Sequence, residues 1–288
     1  MSDERTLELE DADVVYDVRG PLPPADGRPP LVMIGQPMDA SGFQALASFL
    51  PDRTVVTYDP RGLGRSVRRD GVRENDPAVQ AEDVHRLIEE LGAGPVDLFA
   101  SSGGAITALA LVAAHPGDVA TLVAHEPPLL TVLPDAALAD RAWGAVKDAY
   151  ATRGWGAGMA AFIGMSSWRG EFTDDYLARP LPDPAQFGMP AVDDGSREDP
   201  LLSGSDPVVG YRPDVAALSR SSTRIVLAVG EESAGSLTAR TTAAMAQLLG
   251  LDPIVFPSHH GGFQGGEGGY AGQPEAFARR LREVLDAS

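Results

Sequence analysis

Val96-Asp-Leu-Phe-Ala-Ser-Ser-Gly-Gly-Ala-Ile-Thr-Ala-Leu-Ala110 joins an apolar, strand-sized run to a helix rich in Ala and Leu through a turn of small residues. A nucleophile held on a sharp strand-to-helix turn needs small residues two before and two after it, because the tight backbone leaves no room for larger side chains. Ala100 and Gly104 occupy those positions around Ser102. Such a turn exposes the hydroxyl, and the helix that follows aims its backbone N–H groups and its positive end at negative charge forming nearby. Ser102 is the candidate nucleophile.

Outward from this segment, strand-sized runs rich in β-branched or aromatic residues alternate with helix-length stretches. The runs are Asp13–Asp17, Leu31–Ile34, Thr54–Tyr58, Val96–Ala100, Ala120–Ala124, Arg224–Val229 and Pro253–Phe256. Helices are expected over Asp76–Leu91, Gly104–His115, Leu237–Leu249 and Gln273–Ala287, and Val84, Leu87, Ile88 and Leu91 recur at the spacing of one helix face. This alternation predicts an α/β architecture, a mostly parallel central sheet flanked by helices. Residues 131–221 break the rhythm. They carry Trp143, Trp155 and Trp168, with Met159, Phe162 and Met165 near helical spacing, then a segment rich in Pro, Asp and Gly. They are expected to form an inserted helical lid, with residues 1–130 and 222–288 forming the core, and an apolar lid underside suits a pocket.

The chain has no cysteine, which excludes a disulfide framework, a thiol nucleophile and thiolate zinc sites. Five histidines, with no His-x-x-x-His pair, argue against an imidazole metal site, so no metal is expected. With 43% hydrophobic residues in 288 the chain can build a substantial core. A net charge of −18 repels phosphate backbones and anionic lipid, so neither nucleic-acid nor membrane binding is expected. The basic cluster Arg61–Arg73 reads as a solvated loop. Met1–Asp17 is acidic and lacks the basic start and apolar centre of a signal peptide, and a cytoplasmic protein is expected. Chemistry is left to hydroxyls, imidazoles and carboxylates.

Besides the Ser102 turn, Leu31-Val-Met-Ile-Gly-Gln-Pro-Met-Asp-Ala-Ser-Gly-Phe43 and Tyr58-Asp-Pro-Arg-Gly-Leu-Gly-Arg-Ser66 stand after two strand runs, and Phe256-Pro-Ser-His-His-Gly-Gly-Phe263 stands before the last helix. Together these segments resemble the α/β-hydrolase superfamily over nearly all the chain outside the lid. Ile34 stands where the family commonly has histidine, and Gly35 keeps the glycine place. The resemblance implies oxyanion donors at the backbone N–H groups of Gln36 and Gly103, and a structural turn at Tyr58–Ser66. A serine hydroxyl needs a base, and histidine has the nearest pKa. The resemblance places it at His260, ahead of Gly261, Gly262 and Phe263, in preference to His259. His85 and His115, in and at the end of helical segments, read as structural.

The third member is expected to be a carboxylate that holds the imidazole's tautomer. The family's usual place, three residues past Gly230, is Ser233 here. Glu232 is the first choice, Glu231 a close alternative, and Glu126 in His125-Glu-Pro-Pro128 a third candidate.

The resemblance implies a cofactor-free serine hydrolase acting by covalent acyl transfer to water, on an ester or lactone of a small, largely apolar molecule, with a homodimer left open. Alternatives on the same scaffold are a C–C bond hydrolase, an aminopeptidase that uses Glu171, Asp174 or Asp175 to hold a free amine, and a binding protein or non-hydrolytic biosynthetic enzyme.

Overall fold

The computed structural model describes residues 2–266 and 271–287. Its elements run β1 (Asp3–Glu8), β2 (Ala12–Arg19), β3 (Leu31–Gln36), α1 (Gln44–Ser48), β4 (Val55–Tyr58), β5 (Val67–Arg68), α2 (Pro77–Leu91), β6 (Val96–Ser102), α3 (Gly103–Ala114) and β7 (Val119–His125). There follow α4 (Ala136–Arg153), α5 (Trp155–Ser166), α6 (Asp174–Leu177), α7 (Pro200–Gly204), α8 (Asp206–Val209), α9 (Val215–Arg220), β8 (Arg224–Gly230), α10 (Leu237–Leu249), β9 (Ile254–Phe256) and α11 (Pro274–Asp286). One sheet takes the order β1-β2-β4-β3-β6-β7-β8-β9, with β5 against β2. From β4 to β9 along this path every pairing is parallel, and β2 meets β1, β4 and β5 antiparallel.

Burial follows from that topology. β3 lies inside the sheet with helices over both faces, and all six of its residues are buried, as continuous apolar parallel strands are. β2, nearer the edge, alternates buried and half-buried residues. One apolar cluster joins the sheet to α2 and α3, through Val84, Leu87, Ile88, Leu98, Ile106 and Leu109 among others. A second, through Phe43, Phe99, Phe256, Phe263 and Phe277, lies with α1 and α11. α2 starts on Asp76, whose side chain accepts from the Ala78 N–H, with Pro77 at its first position, and ends on Gly92 at φ +60°. β1 was not foreshadowed: Asp-Glu-Arg-Thr-Leu-Glu has no apolar face, and this edge strand is held by pairing to β2.

The basic cluster is not a solvated loop throughout. Arg61 is buried, bonding Asp83 at 2.5 and 2.6 Å and Asp11 at 2.9 Å. Arg65 reaches Asp59, Asp17 and Glu4. Asp59 also accepts from the N–H groups of Ala40 and Arg65, which joins the turn after β4 to the loop after β3. Gly64, at φ +54°, leaves room for this: a Cβ there would stand 2.5 Å from Asp59 Oδ2.

Between β7 and β8 the chain makes a helical excursion, α4 to α9, with an apolar centre of its own that includes Trp143, Tyr150, Met165, Phe172 and Leu202. Met159, Phe162 and Trp168 pack partly buried against it. The indole N–H of Trp143 bonds Asp206 at 2.7 Å, and that of Trp155 bonds Asp199 at 2.8 Å, fastening α4 and α5 to the segment of α7 and α8. Val208 on α8 comes down on the start of α3, where a Cβ on Gly103 would lie 3.1 Å from its Cγ1. Among the described residues no helix is long and apolar enough to cross a membrane.

Candidate active site

Three chain segments meet at the C-terminal ends of the parallel strands, where open α/β sheets bind their ligands. Ser102 ends β6 with φ +57° and ψ −130°, a left-handed conformation that a non-glycine residue adopts only when its surroundings enforce it. The enforcement is steric and local. A Cβ on Gly104 would come within 2.8 Å of Gly35 Cα and Ile34 O, and one on Gly103 within 2.8 Å of Gln36 O. Glycine at both positions lets α3 start against β3, and this presses the serine into the turn. Gln36 pairs with Ser102 across the two strands.

His260 lies in the loop between β9 and α11, and its Nδ1 bonds Glu126 Oε2 at 2.6 Å. Glu126 follows β7 directly, at φ +51° and fully buried. Its Oε1 accepts from the Gly230 N–H at 2.9 Å, and its Oε2 also accepts from Thr238 Oγ1 at 2.7 Å. Burial alone would raise this carboxyl's pKa. The hydrogen bond from His260, and the charge that ring carries when protonated, oppose that, with help from Ser233, and hold it well below the usual carboxylate range. An ionised acceptor on Nδ1 keeps a proton on that nitrogen and leaves Nε2 as the basic one.

The acid beside the imidazole is therefore Glu126, and the expectation of Glu232 is corrected. After Gly230 the chain turns at Glu231–Ser233 and leaves Glu231 and Glu232 exposed. Glu232 is tied down by its backbone, its N–H donating to Ser258 O and its carbonyl accepting from Arg169, while Glu231 Oε1 accepts from the Ser258 N–H. Ser233, at the position where the family usually has its acid, is buried beside Glu126 and helps to lower its pKa. His259 is used otherwise: its Nδ1 accepts from the Gly261 N–H at 3.0 Å and its Nε2 faces Ala271 O at 3.2 Å.

Ser102 and His260 open onto one pocket of about 150 Å³, lined also by Gln36, Pro37, Met38, Ser101, Gly261, Phe263 and Gln264. A larger hollow of about 610 Å³ lies away from this chemistry, beside Asp17, Arg19, Asp59 and Arg65, and none of the five histidines lines it. Asp174 and Asp175 begin the short α6, exposed, with Asp174 paired to Arg141, and they are not in the lining of the Ser102 pocket. Both polar atoms of the Gln36 side chain are buried without a hydrogen-bond partner among the described residues.

A buried serine–histidine pair lies beside the Ser102 pocket. Ser101 Oγ is 3.3 Å from Nδ1 of His125, a fully buried ring centred 6.0 Å from that of His260. Burial pushes its pKa down to about 4, with His260 adding to the fall and Glu126 opposing it, so it is neutral. Neither this pair nor Thr238 was read from the sequence. Ser101 is masked by the adjacent candidate nucleophile, and Thr238 carries no local signal.

A family model described as the alpha/beta hydrolase fold matches residues 29–154, which hold the loop after β3, the Asp59–Ser66 turn and the Ser102 turn. Those residues match the family, and the chain has the α/β-hydrolase fold. An uncharacterized hydrolase, YraK, of Bacillus subtilis (strain 168) is 36% identical over 129 residues, 44% of this chain and 46% of that protein, so the match spans about half the length of this relative. Among solved structures, a hydrolase from Pseudomonas aeruginosa PA01 superposes with a TM-score of 0.65 at 21% identity, over 99% of each chain. A thermophilic esterase from Thermogutta terrifontis gives 0.64 at 19%, over 99% of this chain and 98% of that one. At those identities the likeness is one of fold. Within that fold, this chain carries a buried carboxylate, Glu126, directly after β7.

Proposed function

We propose that this chain is a cytoplasmic, cofactor-free serine hydrolase that cleaves an ester or lactone of a small, largely apolar molecule. The observation that carries the reading is the 2.6 Å hydrogen bond from His260 Nδ1 to the buried Glu126, on an imidazole that shares a pocket with Ser102. Nε2 of His260 takes the Ser102 proton as Oγ attacks the carbonyl. Glu126 stabilises the imidazolium that results, and the tetrahedral oxyanion is held by the N–H groups of Gly103 and Gln36. The imidazolium then protonates the leaving oxygen. Water, deprotonated by the same nitrogen, releases the acid from Ser102.

The pocket's size speaks for the acyl side of the substrate. A volume near 150 Å³ accommodates a group about as large as benzene. The structural likeness to an esterase agrees with ester cleavage. The helices between β7 and β8 act in this reading as a lid, with Val208 over the nucleophile turn.

The test is labelling by a fluorophosphonate probe, with hydrolysis of p-nitrophenyl esters in parallel. Wild type labels and turns over acetate and butyrate esters at least about tenfold better than the octanoate, while Ser102→Ala loses label and falls by about a thousandfold or more in kcat/KM. Undiminished labelling of Ser102→Ala, or an unreactive wild type, contradicts the reading.

A further inference from the structure

Away from the Ser102 pocket, two histidines and three carboxylates converge where α2 passes the turn between α3 and β7. Glu82, His85 and Glu89 recur along one face of α2, three and four residues apart. His115 follows α3 directly, and the Asp118 N–H donates to its carbonyl at 3.1 Å, closing a turn that brings both side chains to α2. The His85 and His115 rings are parallel within 9°, their centres 3.7 Å apart.

We infer that Glu82, His85 and His115 form a binding site for a divalent transition-metal ion of the zinc class. One ligand atom from each of the three lies within 4.8 Å of the others. Tetrahedral zinc at its usual bond lengths sets ligand atoms roughly 3.3 Å apart, so closure needs shifts of about an ångström. Glu82, half-exposed on a helix surface, has the freedom to make them.

The hydrogen bonds fit a ligand set. Asp118 Oδ2 is 2.7 Å from His85 Nδ1, the carboxylate–imidazole pairing that fixes a metal-binding histidine's tautomer and leaves Nε2 with its lone pair. Glu82 Oε2 faces His115 Nε2 at 3.1 Å, where a cation replaces the shared proton. Arg86 occupies the other oxygen, Oε1, at 3.1 Å, and also pairs with Glu89, whose Oε1 stands 3.6 Å from His85 Nε2. Two imidazoles with one carboxylate select zinc, nickel or cobalt over magnesium and calcium. The bound ion would cross-link α2 to the end of α3, outside the proposed triad.

The experiment is calorimetric titration of the full chain, purified without a histidine tag and dialysed against EDTA, with Zn²⁺ and separately with Mg²⁺. Wild type takes up one Zn²⁺ per chain and no Mg²⁺ at the same concentrations. A hundredfold excess over Kd raises Tm by at least about 5 °C. His85→Gln, His115→Gln and the surface change Glu82→Gln each weaken zinc at least about tenfold, while ester turnover stays at the wild-type rate. Circular dichroism establishes that each variant is folded, and the Glu82 change decides the matter if a histidine variant is not. No zinc uptake by wild type, equal uptake by a folded variant, or equal affinity for Mg²⁺ overturns the inference.

Discussion

His125 is enclosed by Phe99, Phe256, Phe263 and Phe277, and its Nε2 has no hydrogen-bond partner among the described residues. With the folded pKa near 4 and the unfolded one near 6.5, the unfolded chain binds more protons between those values. Stability from this residue is fully present above about 6.5 and is lost as pH falls towards 4, by about 3 kcal/mol in all. His125→Phe should flatten that part of the stability–pH curve, read by urea unfolding at pH 7, 5.5 and 4. An unchanged slope would show that His125 does not set it. The acid is the residue that local sequence could not single out. Ser102 and His260 stand in short segments whose small or aromatic neighbours mark them, whereas Glu126, Glu231 and Glu232 all follow strand ends and differ only in what folds over them. The Gly230 N–H, Thr238 and Ser233 converge on Glu126 from over a hundred residues away, and no window of sequence holds that information.

The turn between β6 and α3 depends on two elements touching where a side chain would ordinarily stand. Gly104→Ala places a methyl 2.8 Å from backbone atoms of β3 that cannot swing aside. The expected cost is about 1–3 kcal/mol, seen as a Tm lower by several degrees, with ester turnover falling further as the Ser102 turn shifts. A variant with wild-type Tm and turnover would show that the contact is slack. At this scale most of the sheet was legible, because buried parallel strands carry apolar runs. The charged β1 was not, since edge pairing to β2 uses backbone groups and asks little of side chains.

Over the whole molecule, ion pairs tie the antiparallel edge to the body that carries the site. Arg61 joins Asp11, ahead of β2, to Asp83 on α2, and both Arg61 and Asp83 are buried. Arg61→Ala strands a buried carboxylate and should cost about 3–5 kcal/mol, while replacing Arg61 and Asp83 together with leucine should cost much less. Equal losses in calorimetry for the single and double variants would argue against a buried pair. The proposed triad is itself assembled at this scale: His260 and Glu126 are 134 positions apart, and a single sheet sets the ends of β6 and β7 beside the loop after β9. The most direct test of the account compares kcat/KM for p-nitrophenyl acetate in wild type, Glu126→Gln and Glu232→Gln. A fall of about a thousandfold or more in Glu126→Gln, with Glu232→Gln within about twofold of wild type, is the predicted result. Near-normal turnover in Glu126→Gln together with a collapse in Glu232→Gln would contradict it.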